Sequence, residues 1–310
     1  MSQTASTVLM IRPVNFAFNE QTSESNVFQK AGFEENVQLN ALHEFDSFVD
    51  NLRGRNINVY VIDDTPSPHT PDSIFPNNWI SLHNDGSVFL YPMQAENRRL
   101  ERRDDIIDEL RKSFTVLGIN DLSYHETEGK FLEGTGSMVL DRENKIAYAC
   151  LSPRTDREVL EEFARKAGYD VVAFNSADET GKAIYHTNVM MCIGDRFAVI
   201  CLDSISNEAE RNAVTNSFTS TGKEIIEISF SQMNNFAGNM LQLKNSLNET
   251  FVVMSQRAFN SLTEDQIKRL NNYSQLIYSD LSTIENNGGG SARCMIAEIH
   301  LPKNDTALKQ

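Results

Sequence analysis

The sequence lacks the features of disulfide-rich, membrane-spanning and nucleic-acid-binding proteins. Its 310 residues include only four cysteines, none of them closely paired, which argues against a disulfide framework and against a zinc site. No run of about 18 apolar residues occurs, so no membrane-spanning helix is expected. Basic residues are scarce: 28 Lys and Arg face 43 Asp and Glu, a net charge of −15, which disfavours nucleic acid or an anionic membrane as a partner.

The remaining composition is that of a globular protein. The hydrophobic fraction of 40% is sufficient for a sizeable core. The length exceeds the usual range of a single domain, which leaves two domains or one repetitive domain open. Residues 1–7 show no basic stretch followed by an apolar one, so no secretory signal is predicted and the cytoplasm is the expected location. The sequence gives no indication of oligomeric state.

An internal repeat of hairpin, helix and strand runs along the chain. The first strand is predicted at 7–12, followed by a loop to about residue 32, a helix with an apolar stripe from Leu39 to Leu52, and a strand at 58–63. Later strands are predicted at 79–82, 87–91, 115–117, 137–140, 145–151, 169–174, 189–193, 197–202, 223–228, 239–243, 250–255 and 275–279. Further helices are predicted at 98–113, after Thr155, at 206–220 and after Thr263.

Local signals support this pattern. Asn84, Asp85 and Gly86 form a typical hairpin turn, and Thr155 and Glu158 have the spacing of a capping box. The last predicted strand, 294–301, has no hairpin partner of its own, so we expect it to pair with the first strand and close a ring. No linker rich in Pro, Gly or Ser separates the units. We therefore predict an α/β fold of pseudo-five-fold repeats in a single domain, 1–310.

One conspicuous polar residue enters the first strand of each unit. These residues are Asn78, Glu133, His186, Asn239 and Cys294, and the gaps between them are 55, 53, 53 and 55 residues. Because equivalent positions of a closed pseudo-symmetric array converge on its axis, we expect the five side chains to meet. Cys294 also follows three consecutive glycines, which favour close approach of the backbone to a ligand.

The chemistry of these residues is coherent. A cysteine nucleophile requires a neighbouring acid or base, and histidine is the usual one near neutral pH. Taken singly, each residue has an ordinary structural explanation: a buried cysteine, a satisfied histidine, a solvated glutamate or a turn-forming asparagine. Their recurrence at one repeat position favours a catalytic site. The other histidines have no such context, and the remaining cysteines, Cys150, Cys192 and Cys201, are expected in the core.

Five segments, in order, resemble the guanidino-group-modifying enzymes, which include arginine deiminases, dimethylarginine hydrolases and amidinotransferases. The segments are 71–79, 131–137, 151–155, 185–188 and 288–294. The resemblance implies the five-bladed α/β-propeller (pentein) fold and a reaction that needs no metal or other cofactor. It further implies that Cys294 attacks a guanidino or ureido carbon, that His186 protonates the departing amine and later activates water, and that Glu133 holds the substrate nitrogens. The substrate-binding residues would be Asn77, Asn78, Arg154, Asn188 and Asn239, with Arg154 on the α-carboxylate of a small amino acid.

Two positions depart from the pattern of arginine-processing relatives, which often carry aspartate there. The present residues are Asn78 and Asn188. A carboxylate suits a cationic guanidinium, whereas a neutral amide offers donors to the carbonyl of a ureido group. The sub-branch that the chain resembles is the citrulline-hydrolysing amidinotransferase-like proteins, which implies conversion of citrulline to ornithine, carbon dioxide and ammonia.

Three alternatives remain open at this stage. The substrate could be arginine or a methylarginine, and the covalent intermediate could pass an amidino group to a second amine. The third alternative is a catalytically silent binding protein of the same fold. The joint presence of Cys294, His186 and Glu133 disfavours this last alternative, because a silent relative need not keep all three.

Overall fold

The computed structural model describes residues 2–23, 26, 28–29 and 36–304. The parts of the predicted loop at 24–25, 27 and 30–32 therefore lie outside the described residues. Within the described ranges, no helix is both long and apolar enough to cross a membrane.

The strands of the described chain follow the predicted repeat. They are β1 (Thr7–Arg12), β2 (Asn58–Asp63), β3 (Ile80–Leu82), β4 (Ser87–Leu90), β5 (Gly118–Asp121), β6 (Val139–Asp141), β7 (Ile146–Cys150), β8 (Asp170–Phe174), β9 (Met191–Ile193), β10 (Phe197–Ile200), β11 (Glu224–Glu227), β12 (Leu241–Lys244), β13 (Thr250–Ser255), β14 (Gln275–Ser279) and β15 (Ala297–Glu298). The predictions for β1, β2, β13 and β14 are confirmed to the residue.

These strands form five three-stranded sheets that share one design. The central strand of each sheet pairs antiparallel with one neighbour and parallel with the other, as β4 does with β3 and β5. In the sheet formed by the two ends of the chain, β1 pairs parallel with β2 and antiparallel with β15. The expected pairing of the last strand with the first is therefore confirmed, and the five sheets fit a pseudo-five-fold repeat.

Helices connect the parallel strands and supply short turns near the hairpins. They are α1 (Glu20–Ser23), α2 (Val37–Arg53), α3 (Glu96–Arg99), α4 (Asp104–Arg111), α5 (Gly134–Ser137), α6 (Arg157–Ala167), α7 (Thr187–Met190), α8 (Glu208–Ser220), α9 (Phe230–Met233), α10 (Gln256–Ser261), α11 (Glu264–Asn271) and α12 (Ser282–Gly288), with 3-10 turns at Pro76–Asn78, Ser123–Glu128 and Leu202–Ser204. The crossover helices α2, α4, α6, α8 and α11 each link two parallel strands, as a parallel pair requires.

Burial of one face explains why the crossover helices form. Helix α2 buries Phe45, Phe48, Val49 and Leu52 at helical spacing, but Leu39 is 56% exposed, so its inclusion in the buried stripe was wrong. Leu39 lies in the first turn of α2, ahead of the residues that pack inward. Cys150, Cys192 and Cys201 are buried, as expected.

The second repeat differs most from the prediction. The single helix predicted at 98–113 is divided into α3 and α4, because the chain leaves the helix after Arg99 and both Arg98 and Glu101 turn inward. The strand predicted at 115–117 is displaced to β5. Thr115 instead donates its backbone N–H to Pro302 (2.8 Å), and Leu117 is 76% exposed. The apolar residues of 115–117 suggested a strand, whereas the polar segment after them pairs with β4.

Two local details also differ from the prediction. The capping box of Thr155 and Glu158 does not form, because Asp156 is the N-cap of α6 and its carboxylate accepts the backbone N–H groups of Glu158 and Val159. The last strand is much shorter than 294–301. Cys294 consequently lies in a turn ahead of β15 and not within a strand.

Candidate active site

The polar residues counted across the repeats lie in turns immediately ahead of the hairpins. Asn78 ends a 3-10 turn, while Glu133 and His186 precede the short helices α5 and α7. Asn239 and Cys294 precede β12 and β15. Hydrogen bonds connect neighbouring members of this set: Glu133 contacts both Asn78 and His186, and Asn239 contacts Cys294. The five residues therefore form two contact groups, one of Asn78, Glu133 and His186 and the other of Asn239 and Cys294.

The turn at Gly136 lets these repeats approach one another. A Cβ atom at this position would lie 2.4 Å from Asn78 Nδ2 and 2.9 Å from both Cε1 and Nδ1 of His186. Any side chain there would displace two of the converging groups. The backbone φ of Gly136 is one that other residues also adopt. Glycine is therefore needed here because it has no side chain, and not for its backbone freedom.

A cavity opens above this layer. It is lined by Thr22, Asn26, Asp72, Phe75, Asn78, Arg98, Arg154, Tyr185, His186, Gly288, Gly289, Gly290 and Cys294. Four of the predicted site residues, Asn78, Arg154, His186 and Cys294, thus line one cavity. Glu133, Asn77, Asn188 and Asn239 are buried beside or behind it and are not among its lining residues.

Glu133 acts on the cavity through His186. The imidazole Nε2 of His186 lies 2.8 Å from Glu133 Oε2, and the backbone N–H of Gln94 donates to Oε1 at 3.0 Å. Burial opposes ionisation of Glu133, but Arg154, the hydrogen bond from His186 and Arg98 together hold the pKa of this carboxyl well below its usual range. Glu133 is therefore a carboxylate that only accepts hydrogen bonds.

The carboxylate of Glu133 fixes the tautomer of His186. Because Glu133 can only accept, Nε2 of His186 carries a proton and, in the neutral imidazole, Nδ1 has a free lone pair. Burial lowers the pKa of His186, with Arg154 and Arg98 acting in the same direction and Glu133 opposing them. The imidazole is thus neutral near pH 7, with one nitrogen available as a proton acceptor.

The sulfur of Cys294 lies between two carboxamides. Asn188 Nδ2 is 3.4 Å and Asn239 Nδ2 is 3.3 Å from Cys294 Sγ. The amide of Asn239 is held by the backbone N–H of Arg293, which donates to Oδ1 at 3.1 Å, and by donation from Nδ2 to the backbone oxygen of Asn188 at 2.9 Å. Asn188 and Asn239 therefore contact the sulfur and not the cavity.

Arg154 supplies positive charge to the cavity wall. Its Nη1 is 3.4 Å from Glu133 Oε2, its Nη2 donates to the backbone oxygen of Thr22 at 3.0 Å, and its guanidinium lies 5.0 Å from the ring centroid of Tyr185. Asn77 is fully buried, and neither of its amide atoms has a hydrogen-bond partner among the described residues. Arg154 lines the cavity, whereas Asn77 is set back from it.

Three charged residues at the site were missed by the sequence reasoning. Arg98 and Asp72 line the cavity, and Glu101 pairs with Arg98 through 2.8 and 2.9 Å hydrogen bonds. The spacing of Arg98 and Glu101 is that of a common surface ion pair, and the surrounding run of charges predicts a solvated helix. Asp72 lies in the 71–79 segment quoted for the resemblance, which was the available signal for it.

The fold and the site together define a class. Five repeats place a cysteine, a histidine paired with a carboxylate, and two arginines around one cavity. This arrangement places the protein in the pentein superfamily of guanidino-modifying enzymes. More specifically, residues 12–301 match the family model described as N,N dimethylarginine dimethylhydrolase, eukaryotic, and the chain belongs to that family.

Solved structures share the fold at low sequence identity. The chain is similar to ArgZ, an arginine dihydrolase from the ornithine-ammonia cycle in cyanobacteria, with a TM-score of 0.76, 15% identity, and coverage of 97% of this chain but 41% of that one. Against the N-terminal domain of ArgZ covalently bound to a reaction intermediate, the TM-score is 0.75 at 15% identity, with coverage of 96% and 98%. The chain thus spans less than half of full-length ArgZ and nearly all of its N-terminal domain.

A dimethylarginine hydrolase shares the fold over its whole length. DDAH from Pseudomonas aeruginosa, in a mutant form complexed with citrulline, has a TM-score of 0.66 and 17% identity, with coverage of 96% of this chain and 100% of that one. No curated protein matches the chain. The matching family model is that of a hydrolase, which favours an enzyme over the silent binding protein left open by the sequence.

Proposed function

We propose that the protein hydrolyses the ureido group of citrulline, or of a closely similar amino acid, to ornithine, carbon dioxide and ammonia. The observation that carries this proposal is the neutral amide of Asn78 on the cavity wall that also holds Cys294 and His186. A ureido group is uncharged and presents a carbonyl oxygen, which an amide N–H can bind and a carboxylate cannot.

Cys294, His186 and Glu133 would divide the chemistry among them. The thiol proton of Cys294 passes to Nδ1 of His186 and the sulfur attacks the ureido carbon. The C–N bond to the ornithine nitrogen then breaks, and His186 delivers that proton to the departing amine, which leaves an S-carbamoyl group on the sulfur. His186 next takes a proton from water, the resulting hydroxide attacks the S-carbamoyl carbon, and the C–S bond breaks; the thiolate then recovers the proton from His186. The carbamic acid released decomposes to carbon dioxide and ammonia, which breaks the second C–N bond. One water is consumed for each citrulline converted to ornithine, carbon dioxide and ammonia. Glu133 orients the imidazole from behind, as its 2.8 Å contact supports.

The cavity also offers partners for the amino-acid end of a substrate. Arg154 can pair with an α-carboxylate, for which the planar guanidinium is well suited. Asp72 lines the same cavity and is almost fully buried, and its Oδ1 has no hydrogen-bond partner among the described residues. An α-ammonium group would satisfy that oxygen. We therefore propose an α-amino acid as the substrate class.

The second candidate is hydrolysis of arginine or a methylarginine. It is favoured by the matching family model and by the fold shared with an arginine dihydrolase. Transfer of an amidino group to a second amine would use the same covalent intermediate. Both alternatives require a cationic substrate, so they predict acceptors where this cavity has the amide of Asn78.

The experiment is steady-state turnover of L-citrulline and L-arginine in parallel, with ornithine, citrulline and ammonia measured as products. Ornithine formed from citrulline and lost in Cys294→Ala would support the proposal. Cys201→Ala is the matched control, because Cys201 is also buried but lies outside the cavity. Citrulline or ornithine formed from arginine, with citrulline itself left unchanged, would refute the ureido assignment in favour of the second candidate.

For the architecture, we propose that the five sheets are the blades of a pseudo-five-fold α/β-propeller in one domain spanning 1–310. Bridges between sheets support this arrangement: Ala5 pairs with Leu243 and Leu82 pairs with Ile299. These bridges join the sheet that contains β1 to its two neighbours. The hydrophobic clusters also extend across sheets, since Val8 and Val253 belong to one cluster.

A further inference from the structure

Arg98 is a buried cation bound to both a carboxylate and an amide of the site. Its Nε and Nη2 donate to the two carboxylate oxygens of Glu101 at 2.8 and 2.9 Å, and its Nη1 donates to Asn78 Oδ1 at 2.9 Å. Arg98 is only 2% exposed and Glu101 only 3%. Two donors of the guanidinium are therefore committed to Glu101, and a third points at Asn78.

This contact determines which end of the Asn78 amide faces Arg98. A guanidinium has donors and no acceptor, so the atom opposite Nη1 must be the carbonyl oxygen of the amide. The NH2 group is then turned the other way, towards Gly136 and the imidazole of His186. Among the described residues this NH2 group has one hydrogen-bond acceptor, the backbone oxygen of Glu133 at 3.5 Å, which occupies at most one of the two N–H groups.

Glu101 holds Arg98 from the side away from the substrate. It is not among the cavity-lining residues, and its bidentate contact fixes the plane of the guanidinium. Asp72 and Glu133 lie farther from Arg98, at 3.7 and 4.0 Å. Their negative charges stabilise the guanidinium but do not fix its orientation as Glu101 does. Burial opposes the charge on Arg98, but Glu101 and Asp72 raise its pKa further above an already high ordinary value, so the donors are always present.

We propose that the Glu101–Arg98 pair is a specificity-determining element that locks the Asn78 amide with its N–H towards the reacting group. An N–H in that place binds the oxygen of a ureido group and repels the N–H groups of a guanidinium. The inference rests on the proposed function and deepens it. When the sulfur attacks, negative charge develops on the ureido oxygen, so a fixed donor stabilises the transition state more than the ground state. Glu101 is a positioning residue and contacts no substrate.

Two variants test this inference by their effect on the ratio of kcat/KM for citrulline to that for arginine. Glu101→Gln removes the bidentate ion pair with Arg98. We expect kcat for citrulline to fall about tenfold to a hundredfold while KM changes little. In Asn78→Asp, Arg98 would hold one carboxylate oxygen and turn the other towards the substrate. The ratio should then fall further, with activity on arginine gained or increased.

Glu126→Gln is the matched control. Glu126 forms a similar bidentate pair, at 2.6 and 2.9 Å, with Arg102, which lies four residues after Arg98, and neither residue of this pair lines the cavity. Its loss should lower the melting temperature and leave the citrulline-to-arginine ratio unchanged. Comparing the two Gln variants separates loss of a buried ion pair from loss of amide orientation.

The outcomes distinguish the inference from the proposed function. If the parent protein hydrolyses citrulline and Glu101→Gln lowers activity on citrulline selectively, both stand. If the parent hydrolyses citrulline but Glu101→Gln lowers both activities equally, as a purely structural pair would, the orientation role is refuted and the proposed function survives. If the parent hydrolyses arginine and not citrulline, the proposed function is refuted. The inference that Asn78 presents a fixed N–H donor to the substrate is then refuted as well.

Discussion

Gly136→Ala is the smallest change that would disturb the converging groups. The new methyl carbon would lie 2.4 Å from Asn78 Nδ2 and 2.9 Å from two atoms of the His186 ring. Non-bonded heavy atoms settle at about 3.5–4.0 Å, so the amide must move by about 1 Å and the imidazole by about half as much. Both groups are almost fully buried.

The expected loss of activity follows from that displacement. A 1 Å misplacement of a catalytic group costs about a hundredfold in rate, which corresponds to about 2.7 kcal/mol in transition-state free energy. Overpacking should also reduce the free energy of unfolding by about 1–3 kcal/mol. We therefore expect kcat/KM to fall about a hundredfold in a protein that remains folded.

The assay is steady-state hydrolysis of the preferred substrate, with thermal unfolding measured on the same samples. Gly118→Ala is the matched control: it adds the same methyl group where nothing lies within 4 Å, and its backbone dihedral is also ordinary. We expect nearly unchanged activity in the control. Full activity in Gly136→Ala would show that Asn78 and His186 need not approach each other as closely as the structure has them.

Two further predictions concern stability. Burial, with Arg142, lowers the pKa of His300 from 6.5 to about 4 although Glu298 opposes the shift, so the unfolded chain takes up the proton first and stability should fall between pH 6.5 and 4. His300→Gln should remove up to about 3 kcal/mol of that pH dependence in denaturant titrations, and parallel curves for the two proteins would contradict the assignment. If 1–310 is a single domain, calorimetry should give one cooperative transition, with equal calorimetric and van't Hoff enthalpies; two resolved transitions would contradict it.

The repeat and most of its strands were predictable because the signals are local. Segments such as Thr7–Arg12 and Thr250–Ser255 combine β-branched residues with clear ends, and both were bounded correctly. Counting residues between turns then located Glu133 and His186 at equivalent positions. A spacing of 53 residues has no local meaning, but in a repeat it places two side chains at the same level, where the structure has them 2.8 Å apart.

The orientation of charged residues in the second repeat was not predictable. Arg98 and Glu101 are buried, while Leu100 between them is 49% exposed, which reverses the usual preference of these residue types. The reversal is stabilised by partners distant in sequence, since Arg98 is satisfied by Asn78 as well as by Glu101. A hydropathy pattern records neighbours along one helix and carries no information about an acceptor contributed by a turn some 20 residues earlier.

The roles expected for the asparagines differ from their positions for a related reason. Equivalent positions of the repeats do converge, but the residues that meet form a layer with two sides. Asn78 lines the cavity, whereas Asn188 and Asn239 contact the sulfur of Cys294 and are not among the lining residues. Periodicity predicts the level at which a side chain lies along the axis, and the rotamer and the neighbouring backbone decide which side it faces.

The site is assembled from residues of different repeats, so its chemistry depends on how the repeats pack together. Glu133, Arg98 and Arg154 are buried charges: Glu133 lies 3.4 Å from Arg154 of its own repeat and 4.0 Å from Arg98 of the preceding repeat. Removing one partner leaves an uncompensated charge, which costs several kcal/mol, so none of the three can be replaced as a surface residue can. The same contacts that fix His186 and Asn78 for reaction therefore form only when consecutive repeats are packed together. Any change that separates two sheets should lower activity before it unfolds the chain.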